Sequence, residues 1–72
     1  MNLAEGKIDN TYAIEQLNLP LNVEKRLESL GMISGTKIDV LNNKSNGTVI
    51  VKVRGTRFAI GKGITRNILI RG

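Results

Sequence analysis

The second half of the chain alternates apolar and polar residues, the spacing expected for strands that bury one face. The alternation is clearest over residues 49–54, where three valines face one way, and it recurs over residues 37–40, 57–60 and 68–71. Strands with one apolar face each are typical of antiparallel sheets. The pattern therefore predicts four antiparallel strands after residue 36.

Glycines separate these strands at positions that favour tight turns. Asn46-Gly47 is a strong hairpin signal, and Gly55-Thr56 fits a two-residue type II′ turn with glycine first. Gly61-Lys62-Gly63 breaks the next strand, and Ile64-Thr65-Arg66 is predicted to form one short turn before the last strand.

The first half of the chain predicts one strand and one helix. The strand covers Tyr12 to Leu19 and ends at Pro20, the only proline. The helix covers residues 22–30, because Asn22 suits an N-cap and apolar residues recur on one stripe. Gly31 follows the last apolar residue of that stripe, Leu30, where a helix-ending glycine is expected.

Five short strands and one inserted helix in 72 residues are too little for a two-sheet sandwich of ordinary size. They can close into a small barrel, an arrangement that removes exposed sheet edges. The prediction is a mainly β protein, a single domain of residues 1–72, with an SH3-like antiparallel barrel. An OB-like barrel is the alternative.

Composition excludes several kinds of chemistry. The chain has no cysteine and no histidine, which removes thiolate sites, the commonest metal ligand and the commonest general base. The glycines fit no phosphate-binding loop, since the spacing from Gly55 to Gly61 is wrong and Gly63 follows Lys62. Glu24 and Glu28 are interpreted as an exposed helix face. We expect no enzyme, no cofactor and no bound metal.

Hydropathy favours a cytoplasmic location. The longest apolar runs, such as residues 49–51 and 58–60, are three residues long. A membrane span needs roughly 20 such residues, and a secretory signal needs an apolar stretch behind basic residues.

Positive charge is concentrated in the second half. The formal net charge is +5, but residues 37–72 alone carry +7, with Asp39 as their one acidic residue. Lys52, Arg54 and Arg57 surround one predicted hairpin, and Lys62 follows soon after. Such a face can be a solvated surface, or it can bind nucleic acid or an acidic protein patch. The aromatic residues on which single-stranded bases stack are lacking.

Two segments resemble a known family. Residues 26–38, RLESLGMISGTKI, are similar to the R-L-x-x-L-G-[LM]-x-x-G-x-x-[IV] segment of the ferrous iron transport protein A (FeoA) family. Residues 51–60, VKVRGTRFAI, resemble that family's V-x-V-R-G-x-x-x-A-[IL] hairpin, and residues 67–70 fit its last strand. The resemblance spans about 60 residues, in order and with the family's spacing.

The resemblance implies an SH3-like barrel that serves ferrous iron uptake. The implied partner is the membrane transporter FeoB, through its cytoplasmic GTPase domain, without a small-molecule substrate or membrane insertion. The same domain type occurs at the C-terminus of some iron-dependent repressors, which implies a regulatory module as one alternative. The basic charge leaves a small barrel that binds nucleic acid as the other. The residues expected to contact the partner are a basic set and an apolar corner: Lys52, Arg54, Arg57, Lys62, Leu30 and Met32.

Overall fold

The computed structural model describes residues 1–44 and 46–72. It contains a short 3₁₀ helix, five β-strands and two α-helices. In chain order these are the 3₁₀ helix Leu3–Glu5, β1 Thr11–Leu17, α1 Leu21–Ser29, β2 Lys37–Asn43, β3 Val49–Val53, β4 Thr56–Ile60, α2 Lys62–Thr65 and β5 Ile68–Arg71.

The five strands form one antiparallel sheet in the order β4-β3-β2-β1-β5. Alternate residues of β3 (Val49, Val51 and Val53) are buried, as the period-two pattern predicts. One cluster of buried side chains includes residues from every strand, the 3₁₀ helix and α1. The mainly β prediction, with five strands and one inserted helix, is confirmed.

Two strands contain irregular positions that the alternation does not reveal. β1 runs from Thr11 to Leu17, rather than Tyr12 to Leu19, and its register against β5 shifts at Glu15. β2 has a similar shift at Leu41 against β3. Extra residues of this kind bend a strand and increase its twist, so they help a five-stranded sheet to curl around a small core.

The ends of α1 differ in how well the sequence predicts them. Asn22 is not the N-cap, because the helix already begins at Leu21 and the Pro20 carbonyl accepts hydrogen bonds from Val23 and Glu24. Proline fixes its own φ near the value needed to enter a helix, which explains the earlier start. The prediction for Gly31 is confirmed: its φ is +97°.

The end of α1 is a Schellman motif. The Gly31 N–H donates to the Glu28 carbonyl at 2.9 Å, and the Met32 N–H donates to the Leu27 carbonyl at 3.0 Å. This pattern satisfies two helix-end carbonyls, and it brings the residue after the glycine back against the helix. Leu27 and Met32 are accordingly both buried.

The turn between β3 and β4 lies one residue earlier than predicted. Val53 pairs with Thr56, so the two turn residues are Arg54 and Gly55. Both have positive φ, +51° and +83°, which is the geometry of a type I′ turn rather than type II′. The type I′ turn matches the twist of the flanking strands.

The N-terminal segment covers the outer edge of β5. The Met1 carbonyl accepts a hydrogen bond from the Ile70 N–H at 2.8 Å, and Asn2 forms a bridge with Leu69. Asn43 of β2 holds the segment in place, since its Nδ2 donates to the carbonyls of Ala4 at 3.0 Å and Gly6 at 2.7 Å.

We expect Asn43→Ala to lower the free energy of unfolding by about 1–3 kcal/mol, because it leaves two part-buried carbonyls without their donor. The neighbouring exposed residue provides a control, and Asn42→Ala should change the value by less than about 0.5 kcal/mol. Urea denaturation of both variants checks this. Equal effects would show that Asn43 does not hold the N-terminal segment.

Substitution of two glycines with similar φ allows the cost of backbone strain to be measured apart from the cost of a steric clash. Gly47 and Gly35 have φ of +92° and +90°. A Cβ at Gly47 would lie 2.8 Å from Cβ and Cγ of Lys62, whereas a Cβ at Gly35 would meet nothing within 4 Å. We expect Gly35→Ala to destabilise by about 1 kcal/mol through strain alone, and Gly47→Ala by about 1–3 kcal/mol more. Thermal or urea unfolding measures the difference, and equal losses would contradict it.

Candidate functional site

Arg54 occupies a backbone conformation that few side chains adopt. Its φ of +51° lies in the left-handed region, and asparagine, aspartate and glycine are the usual residues at this position of a type I′ turn. The Arg54 side chain extends over Gly31: a Cβ built on Gly31 would lie 3.3 Å from its Cδ and 3.5 Å from its Nε. Gly31 therefore leaves room for the arginine stem.

The place that Arg54 reaches suits a cation. Gly31 is the second residue after α1, whose last carbonyls carry the partial negative charge of the helix dipole. Leu30, the residue before Gly31, is 42% exposed. The Arg54 side chain and the exposed Leu30 thus both adjoin Gly31, where the helix end contacts the β3–β4 turn. We call this site, made of Leu30, Gly31 and Arg54, the helix–hairpin corner.

Met32 does not belong to the exposed part of this corner. Its side chain is 1% exposed and packs in the core, so the prediction that it offers a surface contact is wrong. The reason is the Schellman motif, which turns the chain inward directly after Gly31.

Lys52 and Arg57 lie side by side on the outer, solvent-facing side of the sheet. They are cross-strand partners between β3 and β4, and both are exposed. Asp39 of β2 pairs with Lys52 on its other side. The Thr11 hydroxyl donates to Asp39 Oδ1 at 2.6 Å, which fixes the carboxylate within this row.

Lys62 is not part of the same group. It follows the end of β4 that pairs with Val49, and its side chain lies against Gly47 in the β2–β3 connection. The Arg54-Gly55 turn is at the opposite end of β3. The prediction of one basic cluster with Lys52, Arg54, Arg57 and Lys62 is therefore wrong for Lys62, because neighbours in sequence here lie at opposite ends of a hairpin.

The structure adds two basic residues that sequence reasoning missed. Lys37 of β2 and Arg71 of β5 both pair with Ala13 of β1, one on each side. Cross-strand partners share a face of the sheet, so both cations flank a small side chain. They line a shallow cavity of about 310 Å³ with Tyr12. Only the strand register brings them together, and no local sequence signal indicates it.

Tyr12, the neighbour of Ala13 in β1, has its side chain buried in the core. The Lys7 N–H donates to its hydroxyl oxygen at 2.9 Å, and Asn10 Nδ2 lies 3.4 Å away. The Lys7 donor, with a smaller effect from Asn10, lowers the pKa of the Tyr12 phenol below 10.0, although burial acts in the opposite direction.

A second groove carries the opposite charge. It has a volume of about 460 Å³ and lies between β1 and α1. Glu15 of the strand lines it on one side, and Glu24 and Glu28 of the helix line it on the other. The Ser34 hydroxyl donates to the Glu15 carbonyl at 3.1 Å beside it. Within residues 1–44 and 46–72, no group of three or more histidine, cysteine, aspartate or glutamate residues is arranged to hold a metal ion.

Over the described residues, α1 and the shorter helices are not long and apolar enough to cross a membrane.

Comparison with known proteins identifies the fold. The crystal structure of an iron uptake regulatory protein, FeoA, superposes with a TM-score of 0.84 at 33% identity and covers 97% of this chain and 92% of its own. The zinc complex of FeoA from Stenotrophomonas maltophilia superposes with a TM-score of 0.77 at 25% identity, over 99% of this chain and 89% of its own. That protein is described as a prokaryotic SH3 domain protein and a candidate activating factor for ferrous iron transport. The SH3-like prediction is confirmed.

Sequence comparison agrees with the structural likeness. A protein of Methanocaldococcus jannaschii named as a putative Fe(2+) transport protein A is 31% identical over 68 residues, which cover 94% of this chain and 82% of that protein. The FeoA domain model matches residues 1–72. The chain therefore belongs to the FeoA domain family, which is linked to ferrous iron transport.

Proposed function

We propose that this protein is a non-enzymatic accessory factor of ferrous iron uptake that acts in the cytoplasm by binding another protein. The proposed partner is the GTPase domain of a FeoB-type membrane transporter. Family membership supports the link to ferrous iron. The observation that carries the binding role is the helix–hairpin corner, where a strained arginine stands beside an exposed leucine.

The strain at Arg54 is the first part of the argument. A left-handed conformation costs a residue with a Cβ roughly 1–2 kcal/mol relative to its preferred backbone regions. Asparagine or glycine would form the same turn more easily. An arginine in this position therefore makes the protein less stable than an asparagine or glycine would. Strained residues of this kind are concentrated at functional sites.

The composition of the corner is the second part. Arginine is enriched among the residues that dominate binding energy at protein interfaces, because it combines an apolar stem with several donors. Leu30 supplies an adjacent apolar contact that is 42% exposed. The matching surface on the partner carries a carboxylate next to an apolar side chain, and Lys52 and Arg57 add positive charge at the rim.

A nucleic-acid-binding module is the second candidate. The exposed cations on the outer side of the sheet favour it, since phosphate contacts need basic residues above all. The aromatic residues argue against it, because Tyr12 is buried and Phe58 packs against the core, so neither ring is free to stack on a base. Phosphate binding weakens steeply with salt, which distinguishes the two candidates.

Arg54→Asn is expected to separate binding from stability. The free energy of unfolding of this variant should be higher by about 0.5–1 kcal/mol, because asparagine tolerates the left-handed region. It should bind the cytoplasmic GTPase domain of the host's transporter about tenfold more weakly, through loss of the guanidinium. Urea denaturation and calorimetric titration, with and without guanine nucleotide, measure the two effects.

Arg66→Asn is the matched control, since it removes the same charge from an exposed position outside the corner. It should leave binding within about twofold. If Arg54→Asn and Arg66→Asn weaken binding equally, the corner is not the contact. If the protein does not bind the GTPase domain but binds random DNA or RNA in a salt-sensitive way, the nucleic-acid candidate replaces the proposal.

A further inference from the structure

The two edges of the sheet differ in whether another segment covers them. The outer edge of β5 is covered by Met1 and Asn2 through a backbone hydrogen bond and a bridge. β4 is the last strand on the other side, and within residues 1–44 and 46–72 it pairs with β3 alone. A row of unpaired backbone groups on an edge strand can pair with another extended chain.

The register identifies which groups of β4 face outward. In a hairpin with a two-residue turn, the residues that flank the turn exchange both hydrogen bonds, and the exchange repeats at every second pair. Val53 and Thr56 flank the turn here. Thr56, Phe58 and Ile60 therefore bond to β3, whereas the N–H and C=O groups of Arg57 and Ala59 point away from the sheet.

The side chains of β4 define what a neighbouring strand would meet. Arg57 lies on the outer side of the sheet beside Lys52, and both are exposed. Phe58 faces the core and pairs with Val51, but its side chain is only half-buried. An added strand would thus place one row of side chains next to Arg57, with Lys52 one strand further in, and the alternate row next to a partly covered aromatic ring.

We propose that the open edge of β4 binds an extended peptide segment in which acidic and apolar residues alternate. Such a segment adds a sixth strand: its backbone bonds to Arg57 and Ala59, its carboxylates lie beside Arg57 in the field of Lys52 one strand further in, and its apolar residues complete the cover over Phe58. This is recognition by strand addition, in which main-chain bonds give affinity and alternate side chains give specificity. The identity of the protein that supplies this segment rests on the proposed function, whereas the binding of such a segment to β4 does not.

A second copy of the chain is a poorer occupant. Each copy carries a net charge of +5, and pairing β4 with β4 would bring the cations of two copies together, which is unfavourable for neighbours in a sheet. An edge arginine also discourages aggregation, so the same residue that rejects another copy attracts an acidic strand.

Amide hydrogen exchange on the full chain tests the proposal. The probe is a synthetic peptide of about seven residues that alternates valine and glutamate, and the control peptide carries lysine in place of glutamate. We expect saturable binding of the acidic peptide, with new protection at the amides of Arg57 and Ala59. The amides of Thr56, Phe58 and Ile60 already bond to β3 and should change much less.

Two charge reversals provide matched variants. Arg57→Glu should weaken binding of the acidic peptide by about tenfold or more, whereas Arg71→Glu makes the same change of charge on β5, at the covered edge, and should weaken it by less than about threefold. Both residues are exposed, so both variants should fold.

Several outcomes would overturn the proposal: no binding at millimolar peptide, equal losses in the two variants, equal binding of the lysine peptide, or protection outside β4. Protection of Arg57 and Ala59 that rises with protein concentration in the absence of peptide would assign the edge to a second copy. This test uses synthetic peptides and no part of the transporter. Its failure therefore does not decide the outcome of the GTPase-domain titration, which tests the proposed function separately.

Discussion

The chain turns at Gly31, and the rest of the corner depends on that single backbone conformation. With φ at +97°, the glycine ends α1, returns Met32 to the core and leaves Leu30 at the surface. The missing side chain of Gly31 also gives Arg54 the space it occupies. One left-handed residue therefore determines what is buried, what is exposed and where the arginine lies. A second left-handed residue, Arg54 itself, meets it from the hairpin.

The sequence predicts the parts of this fold that depend on local chemistry. Valines at every second position of β3 predict the strand and its buried face, and Gly31 predicts the helix end, since both follow from single-residue geometry. The sequence predicts the β3–β4 turn one residue late, because Arg54 has no preference for a left-handed backbone. The structure forces it there so that Val53 can pair with Thr56.

The surface could be predicted only in part, because strand register and chain reversal are not local properties. Lys62 is close to Arg57 in sequence, yet β4 carries it to the other end of the hairpin. Lys37 and Arg71 are far apart in sequence, yet both flank Ala13. Glu15 joins the helix glutamates in the same way, through the packing of β1 beside α1. The result is a protein with an acidic groove on one side and cations over the outer side of its sheet.

The strand order also has a consequence for how the molecule is assembled. β2, β3 and β4 form two consecutive antiparallel pairings that close short loops. β5 instead pairs with β1, which brings Ala13 against Arg71. Closing a long loop costs more entropy and slows the formation of the contacts that depend on it. The three-strand meander of β2, β3 and β4 can therefore form before β5 pairs with β1. The pairing of β5 with β1 is thus the slow step that closes the fold.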